Sequence, residues 1–416
     1  MKSLITKLSL FALIVFAFSC KQAGGPAAPE DAGMSSDTLA YAASRMQNYI
    51  DEGKLAGIAI MTIKDDIVVQ DEALGYADIE SNKSLNENTI YRIFSMSKPI
   101  TAVALMTLYE DEKFELDDKV SDYIPGFAET LVYTPAEEGF TLEPQENPMT
   151  IRHLLTHTSG LTYGWEAGSY VDSLYNVTGI INWDAPIGEK VKELAALPLK
   201  YQPGTRYEYG LSIDVAGYLV EIFSGMPLDE YMKKEVFEPL KMTDTDFYVP
   251  EDKHDRLSSV YTLNKDKQLV PLSGSAGLTD DESVNVNDIF KQAAICFSGG
   301  GGLVSTVNDY ARFCMMLLNG GELEGNRVLE QETVDLIMSD HLPEGVQYAK
   351  GKGYGLGGSV SLEDGSYRWS GAASTSFVVY PGDNMVVVGF TQFMPSARNY
   401  FREYDEIVRN SLVNED

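Results

Sequence analysis

The stretch "IYRIFSMSKPITAVALM", residues 90–106, sets two serines beside a lysine and follows them with an apolar run. A serine hydroxyl is a poor nucleophile until a base takes its proton. A lysine serves as that base only where burial or a neighbouring cation draws its pKa towards neutrality. If a helix begins near Ser95, residues three apart share a face, so Ser95 and Lys98 can touch. Ser97, one residue from Lys98, points elsewhere and either orders the helix start or lines a pocket. Pro99 is tolerated in a first helical turn, where unpaired N–H groups favour negative charge developing near Ser95. The apolar run buries the helix and holds the pair rigidly. Chance alone supplies about one or two Ser-x-x-Lys matches in a chain of this length, so the motif needs partners elsewhere.

Two segments offer them. In "QPGTRYEYGLSIDVAGYLVE", Pro203-Gly204 form a turn and an apolar pattern resumes at Ile213. Tyr207 and Tyr209 therefore fall in a loop before a helix, where a phenol can project into a cleft. "RWSGAASTSF" reads as a strand whose Gly371 leaves the backbone open to close approach by a ligand.

With these residues in view, the chain resembles the serine β-lactamase and penicillin-recognising superfamily, specifically the class C β-lactamases and the β-lactamase-like (family VIII) carboxylesterases. The three motifs of that superfamily are Ser-x-x-Lys, Tyr-x-Asn and Lys-Thr-Gly or its variants. They stand here in order as Ser95-Met96-Ser97-Lys98, Tyr209-Gly210-Leu211 and Trp369-Ser370-Gly371. "MTIRHLLTHTSGLTYG", "FEPLKMTDTDFYV" and "SGGGGLVSTVNDYARFCMMLLNGGEL" are similar to family stretches between them, and the resemblance runs from about residue 37 to 413. It implies an acyl-enzyme formed on Ser95, with Lys98 and Tyr209 as the proton-transfer pair. An oxyanion hole would use the backbone N–H groups of Ser95 and Ala372, and no cofactor or metal is implied.

Two positions depart from the β-lactamase pattern. Leu211 stands where lactamases carry Asn, and an aliphatic group cannot make the amide's hydrogen bonds to substrate. Trp369 stands where Lys serves the carboxylate of a drug or peptide. Its indole favours an apolar acyl or alkoxy group over an anion. With Ser370 and Gly371 these residues are expected to bind substrate. Both departures resemble the family VIII esterases and point to a small neutral ester. The competing readings are a weak β-lactamase or D-amino-acid peptidase acting on peptidoglycan peptides, and a catalytically silent envelope lipoprotein. No Gly-x-Ser-x-Gly occurs in the chain, so an α/β-hydrolase elbow is not at issue. "FSGGGGLV" lacks the Gly-Lys-[Ser/Thr] ending of a phosphate loop and reads instead as a tight backbone crossing beside the active-site sheet.

The elements that must hold these groups can be read coarsely. A helix capped by Ser36 precedes a hairpin, "LAGIAIMTIKDDIVVQDEALGYA", turning at Lys64-Asp65-Asp66. Residues 93–299 are mainly helical. Three strands are expected in "GYGLGGSVSL", "YRWSGAASTSFVVYP" and "NMVVVGFTQF", and an amphipathic helix closes the chain. The expectation is an α+β fold: an antiparallel sheet from both chain ends (about 37–92 and 300–413), flanked by helices, with an inserted helical subdomain.

The remaining features set context. A net charge of −30 repels phosphate backbones and excludes nucleic acid as a partner. Residues 1–19 have the pattern of a secretory signal, and the following Cys20 resembles a bacterial lipobox cysteine. This implies export and lipid anchoring in the bacterial envelope, or secretion if an ordinary signal peptidase cuts. Residues 20–36 read as a flexible tether to the hydrolase domain, 37–413. Cys296 and Cys314 sit in apolar stretches as buried thiols. His153 and His157 have i,i+4 spacing, but Leu154 replaces the Glu of a metalloprotease motif, so they read as structural.

Overall fold

The computed structural model describes residues 28–281, 283–397 and 399–413. Strands β1 (Gly57–Lys64), β2 (Ile67–Asp78) and β3 (Lys83–Ser84) come from the N-terminal part. β4 (Lys352–Tyr354), β5 (Ser359–Ser361), β6 (Tyr367–Ser370), β7 (Ser376–Tyr380) and β8 (Met385–Phe390) come from the C-terminal part. They form one antiparallel sheet in the order β4-β5-β6-β7-β8-β1-β2-β3. The two ends of the chain meet where β1 pairs with β8, from Ala59 opposite Phe390 to Lys64 opposite Met385.

Both faces of this sheet are covered, which is why β1 and β8 are near-continuous apolar runs rather than alternating ones. On the outer face, Ile58, Ile60, Val378 and Val387 pack with Leu39, Ala42 and Met46 of α1 (Ser36–Asp51) and with Tyr404 and Val408 near the chain's end. On the inner face, Met61, Phe377, Val379 and Val388 join the main core with α2 (Ser97–Glu110). In the helical region α3 (Ile151–Leu155) and α2 both pack against α4 (Ser212–Ser224), α5 (Val307–Leu318) covers β7 and β8, and α6 (Asn399–Arg409) lies on the outer face against α1. Among the described residues no helix is long and apolar enough to cross a membrane.

Three expectations need correction. The tether ends earlier than residue 36: from Pro29 the chain is folded, with Ala32 and Met34 buried. There it is tied to the C-terminus by Ser35 N–H to Ser411 O (2.8 Å) and Val413 N–H to Gly33 O (2.8 Å). The stretch 367–381 is two strands, because the chain reverses between Gly371 and Thr375 with Ser374 at φ 64°. Likewise "GYGLGGSVSL" divides into β4 and β5 at Gly357, φ 81°. The first hairpin turns where expected, with Asp65 and Asp66 both at positive φ, as a two-residue turn on twisted strands requires. Signal peptide and Cys20 lie outside the described residues.

Arg92, three residues before the nucleophile candidate, is completely buried. Its guanidinium donates to the carbonyls of Val286 (3.1 Å), Ser258 (2.6 Å) and Asn287 (2.9 Å), fastening the 258–287 segment to the chain just ahead of the Ser95 turn. Arg92→Ala removes this donor from three carbonyls, two of them in buried bonds and one partly buried. The expected loss is about 4 kcal/mol, given about 1–3 kcal/mol for each such group and incomplete additivity. Urea denaturation should show a lower midpoint with an unchanged slope.

Candidate active site

Ser95 sits in a single tight turn, Phe94–Met96, that leads into α2. The helix proper begins at Ser97 rather than at Ser95, yet the i,i+3 relation holds: Lys98 Nζ is 3.2 Å from Ser95 Oγ. Phe94 takes a positive φ of 44°, a strained conformation. Its side chain is locked in an apolar cluster with Ile90, Val249, Val304 and Ala373, its ring edge-on to Phe290 at 5.8 Å. Ser97 orders the helix start, donating to Phe94 O (2.6 Å) and accepting from Leu303 N–H (3.1 Å).

Ser95 is half-buried, whereas Lys98 is completely buried. Tyr209, projecting from its loop ahead of α4, donates to Ser95 Oγ at 2.7 Å. Lys98 Nζ also contacts Gly300 O (2.6 Å) and Tyr163 OH (3.1 Å), and it lies 4.7 Å from the centre of the Tyr209 ring. One hydroxyl therefore stands between a phenol and a buried amine, both within proton-transfer reach.

Tyr163, Gly300 and Asp214 were not anticipated. Asp214, in the first turn of α4, accepts from Ser298 Oγ (2.5 Å) and from Gly300 N–H (3.1 Å), while Gly300 O accepts from Lys98. One glycine residue, through its N–H and its carbonyl, thus links a buried carboxyl to the amine. Burial raises the Asp214 carboxyl above its ordinary range, against the pull of Lys98 and its two donors. Burial, with the charge of Asp214 next, holds the Tyr163 phenol well above the ordinary tyrosine range. The glycine-rich run is indeed a tight crossing, but between α2 and α4: Thr101 Oγ1 donates to Gly299 O at 2.7 Å. A Cβ at Gly300 would fall within 3.0 Å of the Asp214 carboxylate.

The third motif lies alongside. β6 ends beside the Phe94–Met96 turn, and Thr375 Oγ1 donates to Ile93 O at 3.3 Å. That crossing by itself requires Gly371: a Cβ there would lie well inside 3.0 Å of Ile93 O and Thr375 Oγ1. Ala372 follows in the turn, half-buried. Trp369 is buried against Tyr209 (5.7 Å between rings) and Tyr354 (5.2 Å). Ser370, partly buried, lines a cavity with Trp369, Tyr348, Arg368 and Phe401. Leu211 is buried and lines a small cavity with Trp183, Asp214 and Cys296.

His157 completes the support of Tyr209. It lies beyond the last residue of α3, so it does not share a helix face with His153, whose Nδ1 accepts from Thr150 N–H (3.2 Å). The His157 ring packs 4.7 Å from Tyr209, and its Nδ1 accepts from Gly210 N–H at 3.4 Å. Burial, and then the Lys98 charge, hold its imidazole well below the ordinary range, so it stays neutral. Cys296 and Cys314 are buried free thiols.

A family model described as "Beta-lactamase" matches residues 42–409, nearly the whole described chain. The chain belongs to the beta-lactamase family. This beta-lactamase-family chain is 30% identical over 352 residues to esterase EstB of Burkholderia gladioli, covering 79% of this chain and 83% of that one. It is 30% identical over 386 residues to lovastatin esterase of Penicillium rubens, covering 83% and 91%. Among solved structures it is similar to EstCE1, a hydrolase with promiscuous acyltransferase activity, at TM-score 0.75 and 26% identity over 89% of this chain and 98% of that one. The fold, the family and these relatives mark it as a beta-lactamase-fold hydrolase with esterases among its relatives.

Proposed function

We propose that the chain is a carboxylesterase that hydrolyses small neutral esters through an acyl-enzyme on Ser95. The observation that carries this reading is the Ser95 hydroxyl held 2.7 Å from Tyr209 OH and 3.2 Å from the buried Lys98 amine. Ser95 Oγ attacks the ester carbonyl carbon while its proton passes into the Tyr209–Lys98 pair. The tetrahedral oxyanion is held by the amides of Ser95 and Ala372. The pair then protonates the departing alkoxide. A water molecule loses its proton to the same pair, attacks the acyl carbon and releases the acid, restoring Ser95. Leu211 and Trp369 support an ester over a β-lactam or a D-amino-acid peptide, since the Leu211 side chain offers an amide no hydrogen bond and Trp369 offers a carboxylate no cation. The N-terminal sequence supports export and anchoring at Cys20 in the bacterial envelope.

A substrate panel tests the choice. p-Nitrophenyl acetate, butyrate and octanoate are compared with nitrocefin and a D-Ala-D-Ala peptide. The expected kcat/KM on the best ester exceeds that on either of the others by about 10²-fold or more, the scale set by missing polar partners in a site. Faster turnover of nitrocefin or the peptide than of any ester would overturn the ester assignment.

A further inference from the structure

Tyr163 and Tyr209 reach the site from two loops that run side by side. Main-chain bonds join them where Lys200 N–H meets Gly160 O, Gly204 N–H meets Thr158 O and Glu208 N–H meets His157 O, each at 2.8 Å. Beyond Leu161 the connection passes to side chains. The Lys200 side chain is only 7% exposed, and its ammonium lies 2.7 Å from Glu208 Oε1, 2.8 Å from Glu166 Oε2 and 3.1 Å from Asp172 Oδ2. Thr162 Oγ1 donates to Asp172 Oδ1 (2.8 Å) and to Glu208 Oε1 (3.2 Å), and Glu166 N–H donates to Asp172 Oδ1 (3.3 Å). Asp172 is buried, so its carboxylate depends on these partners. Burial works against its charge, but donors from Ser169, Thr162 and Lys200 outweigh it and hold the carboxyl below the ordinary range.

The positions of these carboxylates matter more than their number. Glu208 directly precedes Tyr209, Glu166 follows Tyr163 by three residues, and Asp172 lies in the first turn of the helix Tyr170–Val177 that ends the first loop. The two phenol rings are 5.2 Å apart, one touching Lys98 and the other Ser95. We propose that Lys200 is a positioning residue for ester hydrolysis: by gathering Glu166, Asp172 and Glu208 on one buried ammonium, it sets Tyr163 and Tyr209 against Lys98 and Ser95. The inference rests on the serine-hydrolase reading above. Without the ammonium, three carboxylates converge on one another and drive the loops apart, and a displacement of about 1 Å at a reacting group costs about 10²-fold in rate.

The test separates position from folding. Wild type, Lys200→Met, Lys200→Arg and Glu208→Gln are each labelled to completion with a fluorophosphonate, and labelled sites are counted by intact mass. Steady-state hydrolysis of p-nitrophenyl butyrate is then expressed per labelled site. Lys200→Met is expected to lower kcat per site about 10²-fold with KM within about threefold, and Lys200→Arg to recover to within about tenfold of wild type. Glu208→Gln, which leaves Asp172 paired, is expected to lower kcat per site about tenfold. It covers the case in which Lys200→Met fails to fold. A purely structural lysine lowers the labelled fraction and the melting temperature while kcat per site stays at the wild-type value. That result in Lys200→Met, or in Glu208→Gln if only that variant folds, overturns the proposal. A wild-type chain that neither labels nor hydrolyses esters instead overturns the hydrolase reading, and this inference with it.

Discussion

Ser95→Ala is expected to lower kcat for ester hydrolysis by about 10⁴–10⁶-fold, the scale found when a nucleophile acting within a catalytic unit is removed. The fold should be untouched. Ser95 is half-exposed at a turn whose position is fixed by other groups: Ser97 bonded to Phe94 and Leu303, and Tyr310 OH donating to Met96 O at 2.9 Å. Lys98 retains Gly300 O and Tyr163 OH as partners when the serine hydroxyl is lost. Thermal melts should therefore overlay while turnover disappears. Lys98→Met should cost a similar factor in rate and also stability, because it leaves Gly300 O and Tyr163 OH without the buried amine they contact. A slow ester added to wild type should leave an acyl mass on the tryptic peptide carrying Ser95. Substantial ester hydrolysis by Ser95→Ala would place the nucleophile elsewhere and remove the mechanism proposed for this fold.

The sequence made Ser95, Lys98 and Tyr209 legible for different reasons. The first two are related by local helical geometry, which a short stretch encodes. Tyr209 became legible only through its order relative to the other two motifs. What stayed hidden acts through main chain or through loop paths. Gly300 contributes a carbonyl, which has no signature in residue type, and "SGGGG" showed only that backbones come close there. Tyr163 meets Lys98 because its loop is held by side chains up to 46 positions away, with Thr162 bonded to Glu208. The sheet was legible where burial on both faces forces unbroken apolar runs, as in β1 and β8. It was misread at 367–381, because the reversal at Gly371–Thr375 lacks an Asn-Gly or Pro-Gly signal and is imposed by contact with Ile93. The short hairpin of Val132–Pro135 with Phe140–Glu143 was missed: the second strand is exposed throughout and only Val132 of the first is buried, so neither carries an alternation to read.

Gly371→Ala is the second substitution with a large expected effect, and it tests the placement of the oxyanion donors rather than the nucleophile. An added Cβ meets Ile93 O and Thr375 Oγ1, neither of which is the free end of a flexible chain. Ile93 O already receives bonds from Met96 N–H (3.0 Å) and Thr375 Oγ1, and Gly371 N–H is bonded to Thr375 O (2.8 Å). The clash can be relieved only by moving the Ser95 turn or by moving the end of β6 that carries Ala372. Either motion separates the two amides assigned to the oxyanion. Loss of one such donor lowers kcat by about 10²–10³-fold, and that is the expected fall. Overpacking of this kind also costs about 1–3 kcal/mol, so the melting temperature should drop. Gly382→Ala is the matched control: it lies in the next turn of the same sheet, takes no positive φ, and has nothing within 4 Å of its added Cβ. It should be silent in both rate and stability. The fall in kcat for Gly371→Ala should persist per fluorophosphonate-labelled site, because labelled molecules retain Ser95 but no longer align both donors. Wild-type turnover per site in Gly371→Ala would mean that Ala372 does not hold the oxyanion, and that β6 serves the nucleophile only as a wall.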